Sequence, residues 1–133
     1  LAQSKDDIAI QNVIKSETIS YHTNKDRKVY ISYWQVKPES FYANSSLNGN
    51  NYFLTGEDFK MAVENNKFPP DDSATAHFSN IAIKAGGKVG WATYDEKMVF
   101  PDGRLDYLHS FRCLEKIDGI WKIISGSDHQ YRP

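Results

Sequence analysis

The chain has 133 residues with 16 Lys plus Arg against 17 Asp plus Glu, a formal net charge of −1, so it is one domain without the basic surplus that phosphate neutralisation requires. Nucleic acid is therefore not an expected partner. Aromatic residues are the unusual count, with 3 Trp, 8 Tyr and 7 Phe making 14% of the chain. Cys113 is the only cysteine, which excludes an intramolecular disulfide and a cysteine zinc site and reads as a buried thiol in a strand. No apolar run approaches the roughly 18 residues of a membrane span, so no membrane partner is expected. The start Leu1-Ala2-Gln3 lacks Met, which fits a secreted or periplasmic chain after signal-peptide removal and equally a trimmed one; residues 1–6 are expected to be a disordered remnant.

In chain order, Ile10, Val13, Ile14, Glu17 and Tyr21 fall on one face of a 3.6-residue period and predict a first helix, with Asp6 and Asp7 at its positive end. Asp26 can cap a second helix carrying Val29, Tyr30, Tyr33 and Trp34, stopped by Lys37-Pro38-Glu39. Phe41 to Ser45 and Tyr52-Phe53-Leu54 read as strands joined through Leu47-Asn48-Gly49-Asn50. Thr55-Gly56-Glu57-Asp58 reads as a capping box with Asp for Glu, opening a third helix that buries Phe59, Ala62 and Val63 and ends at Phe68-Pro69-Pro70.

Four long strands follow: Thr75 to Lys84, Lys88 to Phe100, Leu105 to Ile117 and Ile120 to Tyr131. Gly86-Gly87, Pro101-Asp102-Gly103 and Asp118-Gly119 join them as hairpins. Helices early and a meander late mean α+β, with helices covering one face of a curved antiparallel sheet. After Gly87, one strand face carries Val89, Trp91, Thr93, Asp95, Lys97 and Val99, and the other Gly90, Ala92, Tyr94, Glu96, Met98 and Phe100. Both faces hold apolar residues, so both are expected to be covered, one by helices and one by a second subunit in a homodimer.

In this pattern the chain resembles the nuclear-transport-factor-2-like (cystatin-like) superfamily in its SnoaL-like and ketosteroid-isomerase-like branch. The carriers are Leu114 to Ile123 with Asp118-Gly119-Ile120-Trp121, the strand Val89-Gly90-Trp91-Ala92-Thr93-Tyr94, the helix Asp26 through Trp34, and Gly56-Glu57-Asp58-Phe59. The likeness runs from residue 7 to 131 and implies a single domain over 1–133, a cone-shaped curved sheet wrapped around three N-terminal helices, and a pocket at its mouth. Members of the superfamily include isomerases, cyclases, dehydratases and oligomerisation domains, so the fold does not give the function. Arg112 matches the pocket arginine of the superfamily's kinase association domains; Ser125 and Ser127 stand where those domains carry a His-x-His.

An Arg inside an apolar strand needs a counter-charge. Arg112 is thus expected to hold a ligand carboxylate or enolate-like oxygen, to pair with Glu96 or Asp128 on neighbouring strands, or to reach solvent. Asp95 and Glu96 beside aromatic residues are candidates for a carboxyl of raised pKa acting as base or acid, with Tyr30, Tyr33 or Tyr94 donating to an oxyanion, and His129 is a further acid/base candidate near Asp128. Trp34 joins the tyrosines as pocket wall. The four histidines show no metal-ligand spacing, and no cofactor fingerprint occurs, so neither metal nor cofactor is expected. Three functions remain open: a pocket for a small, largely apolar or carboxylate-bearing molecule; an isomerase, dehydratase or cyclase using Asp95 or Glu96 as base; and a dimerisation module with a vestigial pocket.

Overall fold

The computed structural model describes residues 4–65 and 73–133. Helix α1 spans Lys5–Thr18, capped by the Ser4 side chain accepting from the Asp7 amide, and so takes in Lys5 and Asp6 of the stretch expected to be a disordered remnant. Asp6 is tied down as well, accepting from Trp121 Nε1 and Lys116 Nζ. The helical period does not continue unchanged to Tyr21. From Ile19 to Thr23 the backbone widens into a π turn, which rotates the residues after Thr18 relative to the stripe of Ile10 and Ile14.

Asp26 caps α2 (Arg27–Ser32) through the Val29 amide as its sequence position suggests, but the helix is only six residues long. Tyr33 and Trp34 lie beyond it, and Trp34 pairs with Ile123 as an isolated parallel bridge. Strands β1 (Phe41–Ser45) and β2 (Tyr52–Thr55) form the expected hairpin. Helix α3 (Gly56–Glu64) buries Phe59 and Val63; Thr55 is its N-cap by position, but its side chain makes no capping bond, so the capping-box reading fails there. The predicted stop at Phe68-Pro69-Pro70 lies outside the described residues.

The meander comprises β3 (Thr75–Gly86), β4 (Val89–Val99), β5 (Leu105–Ile117) and β6 (Ile120–Tyr131). Asp118 takes the positive φ of 51° that an Asp-Gly hairpin turn asks of its first residue. The six strands make one curved α+β sheet in the order β2-β1-β6-β5-β4-β3, open at β2 and β3 rather than closed as a barrel. It is not wholly antiparallel, because β1 runs parallel to β6.

The inner face packs on the helices. Ile10 and Ile14 from α1 meet Ala92, Leu114, Trp121 and Ile123 from the sheet. Along β4 burial alternates strictly, with Gly90, Ala92, Tyr94, Glu96 and Met98 inside. The opposite face of this chain is open, with Val89 56% and Trp91 40% exposed.

Candidate functional site

Between the inner sheet face and the helices lies a cavity of about 830 Å³. That volume falls in the range of small-molecule pockets. The cone is thus hollow, not filled by its own side chains. The π turn contributes Tyr21 and His22, α3 contributes residues around Phe59, and the sheet contributes Tyr42, Glu96, Arg112 and Asp128.

Arg112 is the centre of the polar end and is only 3% exposed. Its Nε donates to Glu17 Oε1 at 3.0 Å, and its Nη1 and Nη2 grip the two oxygens of Asp128 at 3.2 and 3.1 Å. Nη1 also donates to the carbonyls of Phe111 and Ser127. Gly126 lies opposite Arg112 on β6, and a Cβ there would come within 2.9 Å of Arg112 Cδ, so this glycine makes the room in which the side chain turns. The rings of Trp34, Tyr42 and Tyr94 stand 5.9 to 6.0 Å from the guanidinium carbon, within cation–π range.

Asp128 accepts from Ser110 Oγ at 2.7 Å and from the Tyr42 hydroxyl. Burial alone would raise its pKa, but Arg112 and these donors outweigh burial and hold the carboxyl below its usual value. For Glu17 the balance is reversed: burial dominates, and the carboxyl is raised despite Arg112. Of the two partners expected for Arg112, then, Asp128 is the one the geometry supplies.

Glu96 is not bonded to Arg112. It is 3% exposed and faces the cavity, and its Oε1 accepts from Thr18 Oγ1 at 2.7 Å. Its other oxygen has no hydrogen bond among the described residues. Burial, with the negative charge of Asp128 added, pushes its pKa from 4.5 up to about 8 against the pull of Arg112 and Thr18. At neutral pH it is a carboxylic acid, able to donate a proton rather than accept one. His22 is driven the other way by burial, to about 4, and is neutral.

The remaining sequence candidates divide by strand face. Asp95 points outward. Its oxygens accept from Asn80 Nδ2 at 2.7 Å and pair with His109 Nδ1 at 2.6 Å, which lower its pKa, and it stands away from the cavity. His129 is also outward, bonded through Nδ1 to Ser45 Oγ. Neither can be the cavity's acid or base, because each alternates in register with an inward residue, Asp95 with Glu96 and His129 with Asp128. Tyr30 and Trp34 line the cavity, whereas Tyr33 packs on the core without lining it. Tyr94 is buried beside Arg112, and its hydroxyl has no hydrogen-bond partner among the described residues. Burial raises the Tyr94 hydroxyl well above its usual value.

Sequence reasoning missed Glu17 as a partner of Arg112, although a carboxylate in the apolar stripe of α1 was visible. It also missed Thr18 and the inward placement of His22. The π turn that aims His22 inward has no signal in helical periodicity.

No protein-family model matches the chain, and no curated protein does. Solved structures do match it in fold. An NTF2-like protein from Cytophaga hutchinsonii ATCC 33406 superposes with a TM-score of 0.68 at 15% identity, covering 97% of this chain and 100% of its own. A provisionally assigned ketosteroid isomerase from Parabacteroides distasonis ATCC 8503 gives 0.69 at 15% identity, with 93% and 86% covered. A provisionally assigned Ca/calmodulin-dependent kinase II association domain from Exiguobacterium sibiricum 255-15 gives 0.68 at 12% identity, with 100% and 98% covered. The chain has the NTF2-like fold. No helix among the described residues is long and apolar enough to cross a membrane.

Proposed function

We propose that this protein binds a small, largely apolar molecule in the cavity between its helices and sheet. The observation that carries this reading is the cavity itself, about 830 Å³ with aromatic walls and a buried polar end at Arg112, Asp128 and Glu96. Of the two ligand types the sequence left open, the carboxylate-bearing one is disfavoured. Arg112 is already neutralised by Asp128 and bonded to Glu17, so an incoming carboxylate would have to displace a buried ion pair.

A thermal-shift screen of steroids, aromatic polyketides and their carboxylates tests the reading, since a ligand that binds only the folded state raises the melting temperature. Neutral members are expected to raise it, and Ala62→Trp, which places an indole in the cavity, to lose the shift. No shift from any member, or an undiminished shift in Ala62→Trp, would overturn the reading.

One observation favours catalysis as a second reading. Glu96 is a cavity carboxyl whose pKa lies near neutrality, as proton transfer prefers. Its role would be acid rather than base below about pH 8. An isomerase or dehydratase reaction on a ketone substrate that disappears in Glu96→Gln supports it.

We further propose a homodimer through the outer sheet face. Exposed Val89, Trp91 and Phe53 on that face support it, as does the likeness to an association domain. Sedimentation should give the mass of two chains, and Trp91→Glu should give one; a monomer at micromolar concentration would contradict it.

A further inference from the structure

Resting on the reading of the cavity as a small-molecule site, we infer that its ligand is an organic cation: an apolar molecule with one amine or quaternary ammonium group seated among aromatic rings and facing Glu96. Six rings run in an unbroken arc around the cavity. Tyr21 to Tyr30 is 5.0 Å between centroids, Tyr30 to Trp34 6.4 Å, Trp34 to Phe59 5.3 Å, Phe59 to Tyr42 5.9 Å and Tyr42 to Tyr52 6.0 Å. All six line it. Aromatic faces carry negative potential and attract cations, most strongly where water is excluded.

The charges of the wall point the same way. Among the described residues the lining holds the carboxyls of Glu17, Asp58, Glu96, Asp106 and Asp128 and one guanidinium, Arg112. Arg112 is committed to Asp128 and Glu17. His22 supplies no charge at neutral pH. Glu96, Asp58 and Asp106 have no cationic partner among the described residues. With Glu96 ionised, such a lining focuses a negative potential into the cavity, drawing cations in and turning anions away.

Glu96 is the group a cation would complete. It is buried, it faces the cavity, and one of its oxygens is without a partner among the described residues. The groups that act on it are Glu17 from α1, Thr18 at its end, Tyr94 from β4 itself, Arg112 from β5 and Asp128 from β6; among these described residues only Arg112 is positive. A ligand ammonium beside Glu96 would stabilise its ionised form, so binding below about pH 8 releases one proton from Glu96 to solvent.

The test is calorimetric titration of the whole chain with benzyltrimethylammonium and with neopentylbenzene, its uncharged isostere. Near pH 9, where Glu96 is ionised, the cation is expected to bind at least about tenfold more tightly than the isostere. That preference should shrink near pH 6, where titrations in buffers of different ionisation enthalpy should show proton release. Glu96→Gln should reduce the preference at pH 9 to a few-fold. Equal or tighter binding of the isostere overturns the cationic inference while leaving the cavity as a ligand site. A preference untouched by both pH and Glu96→Gln overturns the placement at Glu96. Binding of neither probe also overturns the inference, and the neutral-ligand screen with Ala62→Trp then decides the cavity reading separately. Proton release is read on the native chain, so the inference stays testable if Glu96→Gln does not fold.

Discussion

Asp95 and Glu96 are neighbours in one strand and carry the same charge, yet the fold gives them opposite chemistry. Asp95 stands on the outer face in contact with solvent, held by Asn80 and His109, and its pKa is lowered. Glu96 stands on the inner face, walled off from solvent, and its pKa is raised to about 8. The two-residue period of a strand makes this separation complete. The lesson is that the same carboxyl is an anion or an acid according to which surface the pleat presents it to, and chemistry follows the face.

The largest break in this contrast comes from the inner face. Arg112→Met removes the cation that holds Asp128 ionised and leaves a buried carboxylate unpaired, a loss expected to be about 3–5 kcal/mol at neutral pH by urea unfolding. Asp128 has a depressed folded pKa, so the stability it contributes exists above its unfolded pKa and is lost as pH falls. The wild type should therefore weaken in acid, and the gap to Arg112→Met should close there. A gap that stays constant with pH would show that the pair is not what Arg112 supports.

Glu96→Gln should act in the opposite direction. In the folded state Glu96 keeps its proton up to about pH 8, whereas the unfolded chain loses it near 4.5. Between those values the folded state binds more protons, so stability falls as pH rises and levels off above about 8. The amide keeps the acceptor for Thr18 and never ionises. The variant is expected to be more stable than wild type by roughly 2–4 kcal/mol at pH 8 and equal to it near pH 4. A parallel pH dependence for the two proteins would refute the raised pKa.

Gly126→Ala probes the same end through packing alone. The added methyl meets Arg112 Cδ at 2.9 Å and the Phe111 carbonyl at 3.0 Å. Arg112 is pinned by its five hydrogen bonds and the carbonyl is backbone, so neither yields easily. A loss of about 1–3 kcal/mol is expected in thermal unfolding.

How much of this was legible in the sequence follows the same division between faces. The bounds of β5 and β6 read directly, because turn residues punctuate them. The two sets of side chains on β4 could also be sorted. What could not be read was which set faces the cavity, since both carry apolar residues and an acid. That depends on α1 lying against Gly90, where a Cβ would meet Ile10 Cδ1 at 2.8 Å, a long-range contact with no local signature. The Arg112 partners were half legible. Asp128 sits two strand residues from Gly126, opposite Arg112, whereas Glu17 is brought in from 95 residues away by the helix.

The smallest effect belongs to the outer face and sharpens the contrast most directly. Asp95→Asn removes a carboxylate bonded to an exposed His109, a surface pair of the kind that contributes less than about 1 kcal/mol. Its lowered folded pKa means that its contribution is present above the unfolded value of about 3.8 and disappears in acid. At pH 8 Asp95→Asn should be slightly less stable than wild type and Glu96→Gln clearly more stable, although each deletes one acidic group and the two are adjacent. A double variant should show the two effects adding, because the side chains lie on opposite faces and share no partner. Equal signs for the two single variants would mean that burial does not separate these carboxyls, and the cavity would then lose its acid.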